Sequence, residues 1–95
     1  MHIISRKKLV EFSILHADVE TSLDTWYRTS KAAAWQNLAE LKQSFTSADL
    51  VGIYTVFNIK GNRYRLIAEI NYRSGTIFVR HIFTHTDYDK GTWKS

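Results

Sequence analysis

The sequence predicts an α+β domain, with two to three helices packed on one face of a small, mainly antiparallel sheet. Three observations lead there. Apolar residues at helical spacing run through the first half of the chain, up to about Phe45. Two hairpin signals, Gly61-Asn62 and Ser74-Gly75, divide strand-like runs in the second half. The third is size: 95 residues make a single domain, 1–95, with room for one sheet and one layer of helices.

Composition narrows the class further. Apolar residues at 44% and charged residues at 23% describe an ordinary globular chain. With no cysteine there is neither a disulfide framework nor a thiolate metal site. No apolar run approaches the ~18–20 residues a membrane span needs, and Ser5-Arg6-Lys7-Lys8 interrupts any signal-peptide core. A cytoplasmic location with no membrane partner follows as the expectation. The net charge is +4, and the excess is one-sided: six Lys/Arg balance six Asp/Glu in 1–50, whereas seven face three in 51–95. A polyanionic partner would explain that asymmetry; a solvated surface is the plainer reading.

The elements follow in order. His2 to Ser5 reads as a short strand at an edge. Ser5 then caps a helix from Arg6 to about His16, with Leu9, Val10, Phe12, Ile14 and Leu15 as its apolar positions. Asp18 is the expected N-cap of a second helix, Val19 to Lys31, whose stripe is Val19, Leu23, Trp26 and Tyr27. Gln36 to Phe45 gives a short third helix. Trp26 and Trp35 are expected as core anchors. Thr46 to Asp49 turns into a long strand, Leu50 to Ile59.

If Gly61-Asn62 is the first loop, Ile59/Tyr64, Phe57/Leu66, Thr55/Ala68, Ile53/Ile70 and Val51/Tyr72 share an apolar face. Lys60/Arg63, Asn58/Arg65, Val56/Ile67 and Tyr54/Glu69 then share the other. Ser74-Gly75 as the second loop adds Tyr72/Ile77, Ile70/Val79, Ala68/His81 and Leu66/Phe83 to the apolar face, and pairs Glu69 with Arg80 on the other. His81 is therefore expected to pack in the core. The second face gathers Lys60, Arg63, Arg65 and Arg80 and is expected to stay open, as a binding surface or simply a solvated one.

Thr84-His85-Thr86-Asp87-Tyr88-Asp89-Lys90 closes the last strand. Cutting RNA without a metal needs a group that takes the 2′-OH proton, one that protonates the leaving oxygen, and cations for the extra phosphate charge. His titrates near neutral pH, Tyr can give a proton beside a cation, and Arg offers phosphate a fork. A capping turn accounts equally for Thr84, Asp87 and Asp89. His2 and His16 have no partner nearby in sequence, and no spacing of metal-ligand type is present.

FNIKGNRYRLIAEINY (57–72), FVRHIFTHTDYDKGTW (78–93) and AAAWQNLAELKQSFTSAD (32–49) together resemble the HigB family of bacterial type II toxins, within the RelE/ParE superfamily. The resemblance implies a compact RelE-like α+β fold and ribosome-dependent cleavage of mRNA by an endoribonuclease. It also implies neutralisation by a HigA-type helix-turn-helix antitoxin; no cofactor and no metal are expected. Carried over by position, His85, Tyr88, Asp89, Arg65 and Arg80 are the catalytic candidates, and Lys60, Asn62, Arg63 and Lys90 the RNA-binding ones. Many members carry Glu where this chain has Asp87, which keeps the charge. RelE itself lacks the His, so the identity of the general base does not carry over. A ParE-like gyrase poison and a non-catalytic RNA- or protein-binding module are the other readings. The first lacks support in this basic-plus-His pattern, and the second predicts ribosome binding without cut message.

Overall fold

The computed structural model describes residues 1–91 and Trp93. Among these residues, strands β1 (His2–Ile4), β2 (Asp49–Val51), β3 (Tyr54–Ile59), β4 (Tyr64–Asn71) and β5 (Thr76–Thr84) form one sheet in the order β1-β5-β4-β3-β2. β1 runs parallel to β5 at one edge, and every other pairing is antiparallel. Helices α1 (Arg6–Leu15), α2 (Glu20–Ala32) and α3 (Leu38–Ser44) cover one face. Their Leu9, Leu23, Trp26 and Leu41 pack in one core with Phe57, Leu66, Ala68, Ile77 and Val79 of the sheet. A short helix, α4 (His85–Asp89), follows β5 directly. The α+β class expected from the sequence is the one observed.

The β3–β4 hairpin closes in the expected register, with Ile59 opposite Tyr64, Phe57 opposite Leu66 and Thr55 opposite Ala68. Its left-handed residues are Lys60 and Gly61, at φ 53° and 64°, rather than Gly61 and Asn62. The expected long strand from Leu50 is broken. Gly52 takes a left-handed φ of 62° at almost no steric cost, and Val51 folds back to face Tyr54. Ile53 is therefore an exposed turn residue, not a partner of Ile70, and Val51 does not reach Tyr72.

The second hairpin departs further. Asn71 pairs with Thr76 across a four-residue loop, and its Oδ1 accepts the Ser74 N–H at 3.0 Å. Ile70 thus faces Ile77, not Val79. Ala68 then faces Val79 while Ile67 faces His81, so Arg80 is one extra residue in β5, a β-bulge. Past it, Ile82 takes the inward place and joins the helix-side core, while His81 lies on the outer face with Ile67. His81 is not the core residue expected. Glu69 and Arg80 still meet by side chain, Arg80 Nε to Glu69 Oε1 at 3.0 Å, although Glu69 lies opposite Phe78. Nor is the outer face wholly open: Val56 and Ile67 are buried with Trp93, and Tyr54, Phe83 and Tyr88 pack around them.

The helices match in place more than in detail. In α1 only Leu9 is buried, and Ile14 and Leu15 are 75% and 80% exposed. Val10 and Ile14 sit about 100–140° round the helix from Leu9, outside the narrow contact a single small sheet offers. The α2 stripe is buried at Val19, Leu23 and Trp26 as expected. Edge-to-face rings link the layers, Trp26 to Phe57 at 5.4 Å, Phe57 to Phe45 at 5.3 Å and Phe45 to Trp35 at 5.7 Å. α3 is capped by Asn37, whose Oδ1 accepts the Glu40 N–H at 2.9 Å.

Asp18 does not cap α2. It sits in a 3₁₀ turn, Ala17–Val19, and its carboxylate accepts the Tyr64 hydroxyl at 2.8 Å and the Lys60 ammonium at 3.2 Å. This link ties the helix layer to the β3–β4 hairpin. The Tyr64 hydroxyl, and then Lys60, hold the Asp18 carboxyl below its ordinary value. In return the carboxylate, with burial, pushes the Tyr64 hydroxyl above its own. The stabilisation is therefore present above the ordinary carboxylate value of about 4 and lost as pH falls through the lower folded one. On the alkaline side it is present below the ordinary tyrosine value and lost as pH rises through the higher folded one. Thermal melts at pH 3, 4, 5 and 7 should show a fall in Tm on the acid side. Asp18→Asn should flatten that fall, and an identical acid-side profile in the variant would rule out the link as its source.

Candidate active site at the end of the sheet

The local sequence builds the site in three steps. Thr84 leaves the strand in an extended conformation and caps α4, its Oγ1 accepting the Asp87 N–H at 3.2 Å. The His85 N–H, one of the donors a helix start leaves unpaired, donates instead to Arg63 O at 2.8 Å. That bond fixes the start of α4 against the β3–β4 hairpin. One helical turn then brings Asp89 Oδ2 to 3.1 Å from His85 Nε2, the i,i+4 geometry.

Arg65 organises the rest. It is only 8% exposed, and a buried guanidinium is costly unless its donors are satisfied. Nη1 donates to Asn62 O at 3.1 Å and Tyr64 O at 3.2 Å. Nη2 donates to Asn62 Oδ1 at 2.7 Å and lies 3.1 Å from His85 Nδ1. The guanidinium also stands over the Tyr88 ring, 5.4 Å from its centroid. Because a guanidinium only donates, His85 Nδ1 must accept, and the ring proton sits on Nε2, directed at Asp89. A hydrogen-bonded line thus runs from Arg65 through the imidazole to the carboxylate, with the ring's orientation and tautomer both set. His85 and Asp89 are exposed, and Tyr88 is half-buried.

The candidates divide accordingly. The structure brings together Asn62, Arg65, His85, Tyr88 and Asp89. Arg63 is exposed beside them, and its side chain makes no hydrogen bond or ion pair among the described residues. Lys90 pairs with Asp87 at 3.4 Å on the far turn of α4. Lys60 is turned away to Asp18 on the helix side, not to the outer face. Arg80 lies further along β5, paired with Glu69 and 5.1 Å over the Phe78 ring, with no bond to the cluster. Trp93 is the contact that residue types and spacing did not single out. It stacks on Tyr88 at 5.2 Å, and its Nε1 donates to Tyr88 O at 3.2 Å. Gly91, two residues before it, takes a left-handed φ of 70° just past α4, a position where glycine is favoured. Among the described residues no group of three His, Asp or Glu could hold a metal ion, and no helix is long and apolar enough to cross a membrane.

A family model, HigB_toxin, described as the RelE-like toxic component of a toxin-antitoxin system, matches residues 19–91. That span includes every residue of the cluster up to Asp89. The chain is also 32% identical over 95 residues to a protein of Escherichia coli O6:H1 called mRNA interferase HigB, with 97% of this chain and 92% of the relative covered. It is 28% identical over 92 residues to the mRNA interferase toxin HigB of Escherichia coli K12, covering 94% and 88%. A Shigella flexneri protein called mRNA interferase HigB matches to the same extent. The family match extends over most of the chain and agrees with the fold, so the chain belongs to the HigB family of RelE-like toxins, the toxic components of toxin–antitoxin systems.

Proposed function

We propose that this toxin is an endoribonuclease that cuts messenger RNA on the translating ribosome without a metal. A HigA-type antitoxin holds it inactive in the cytoplasm. Relatives that match nearly the whole chain are called mRNA interferases, which supports the substrate class. One observation carries the reading: the line Arg65–His85–Asp89, with Tyr88 packed on the same guanidinium.

The chemistry needs no covalent intermediate. The 2′-oxygen attacks the adjacent phosphorus, the bond to the 5′-oxygen breaks, and a 2′,3′-cyclic phosphate and a 5′-hydroxyl result. In this hypothesis Asp89, oriented by the His85 Nε2–H on its Oδ2, takes the 2′-OH proton at Oδ1, which makes no hydrogen bond among the described residues. The Tyr88 hydroxyl gives a proton to the leaving 5′-oxygen. Arg65 has all four Nη–H groups engaged. Its part is to hold the imidazole and to keep positive charge under the phosphate. Arg63 supplies the outward fork, Asn62 keeps Arg65 in place, and Arg80 and Lys90 meet the strand on either side. Lys60 acts at a distance, through the hairpin it fixes to Asp18.

Primer extension on a translated message tests this. Wild type should give discrete new ends, and His85→Ala should reduce them by about 10²–10⁴-fold, the usual worth of the positioned proton transfer that the imidazole orients. Unchanged cutting by His85→Ala would remove the cluster from the reaction.

A further inference from the structure

The bulge at Arg80 brings the rings of His81 and Phe83 to the face that carries Arg65, where Phe78, before the bulge, already lies. Bulges beside active sites are a known way to re-aim a side chain. His81 stacks on Phe83 at 5.2 Å and 15° between planes, and the Arg80 guanidinium covers Phe78. Phe83 is also the cross-strand partner of Arg65, which holds His85. The aromatic strip is therefore continuous with the cluster, and His81 lies two residues, about 7 Å, further along the strand.

Its polar groups have a matching order. Neither ring nitrogen of His81 has a hydrogen-bond partner among the described residues, although the ring is half-buried. Burial first, then the cations of Lys8 and Arg80, push the His81 ring below its ordinary value. Near neutral pH the ring then offers one donor and one acceptor instead of a charge. Lys8 reaches the same place from α1, its Nζ donating to Arg80 O at 3.0 Å. Glu69 offsets part of the charge of Arg80 and leaves that of Lys8 exposed.

We propose that this strip is a nucleobase subsite for single-stranded RNA beside the cut. One base of the message packs on His81, backed by Phe83, while the neighbouring phosphate lies against Arg80 and Lys8. Rings for bases in line with cations for phosphates are what an unpaired strand requires, and the unpaired edge of His81 adds a means of reading the base. The assignment rests on the reading of the chain as an mRNA-cutting enzyme.

The test is primer extension at several ribosome concentrations with wild type, His81→Ala, His81→Phe and Phe83→Leu, each checked first for a wild-type circular dichroism spectrum. His81→Ala should raise KM about tenfold, in the range of one lost base stack, with kcat changed less than about twofold. His81→Phe keeps a ring and loses both nitrogens, so it should restore KM and spread cutting to bases that wild type avoids. Phe83→Leu gives a second reading of the strip should His81→Ala fail to fold. Wild-type KM and cutting sites in the folded variants would overturn the subsite. So would weakened antitoxin binding with unchanged cutting, which would hand the strip to a protein partner. A wild type that cuts no message would overturn the parent reading too, and is told apart because it shows in the wild-type lane.

Discussion

Arg65→Lys should leave the message uncut and the fold weakened at once. Lysine keeps the charge but not the fork, and a single ammonium cannot serve Asn62 O, Tyr64 O, Asn62 Oδ1 and His85 Nδ1 together. At least one buried acceptor loses its donor, at about 1–3 kcal/mol each, and the imidazole is released from its orientation. We expect about 2–4 kcal/mol lost in urea denaturation and about 10²-fold or more lost in cleavage. His85→Ala, at an exposed position, should lose cleavage alone. If Arg65→Lys cuts message like wild type while losing stability, Arg65 serves the fold and not the reaction. Wild-type behaviour in both assays would mean that the fork holds nothing.

Trp26→Ala should have the largest effect on folding itself. The side chain is fully buried between α2 and β3, edge-on to Phe57, and begins the ring chain that ends at Trp35. Removing such a ring costs about 3–5 kcal/mol, against a total of about 5–15 for a domain of ordinary stability. Much of the variant should be unfolded at 37 °C, and its urea midpoint should move accordingly. Trp26→Phe separates volume from polarity. Among the described residues the buried Trp26 Nε1 has no hydrogen-bond partner, so phenylalanine removes an unsatisfied donor as well as atoms. It should cost less than half as much as alanine. An alanine variant within about 1 kcal/mol of wild type would show that the layers close without this contact.

How much of this was legible depended on whether the cause was local. The β3–β4 register could be read because every residue from Thr55 to Ile59 alternates and so does its partner strand. The same logic failed one hairpin later, since a loop of four residues and a bulge each changed the count of residues across the ladder. Nothing in the apolar pattern marks Arg80 as extra. Alternation puts Lys60 on the outer face, yet at φ 53° it belongs to the turn, and its ammonium goes to Asp18 on the helix side. Asp18 looked like a cap because its true partner, Tyr64, is 46 residues away.

In the site, the His85–Asp89 contact follows from helical spacing, whereas Arg65 with His85 joins residues 20 apart. Their shared role comes from the resemblance, and the bond between them depends on the β4–β5 register. The stacking of Trp93 on Tyr88 joins residues five apart beyond the regular helix, a contact that residue types alone do not fix.

Arg80 also marks where β5 can change length. In a regular strand, losing one residue turns inside to outside for everything beyond it. Val79 points to the helices, His81 away from them and Ile82 back again, so alternation already closes over Arg80. Excising this residue would leave each neighbour facing as it does now, at the cost of the partner of Glu69. Excising Ile82 would drive Phe83 toward the helices and Thr84 outward, and would swing α4 off its hairpin. The strand therefore tolerates a change of length at one position, and beyond it the count of residues to His85 is fixed.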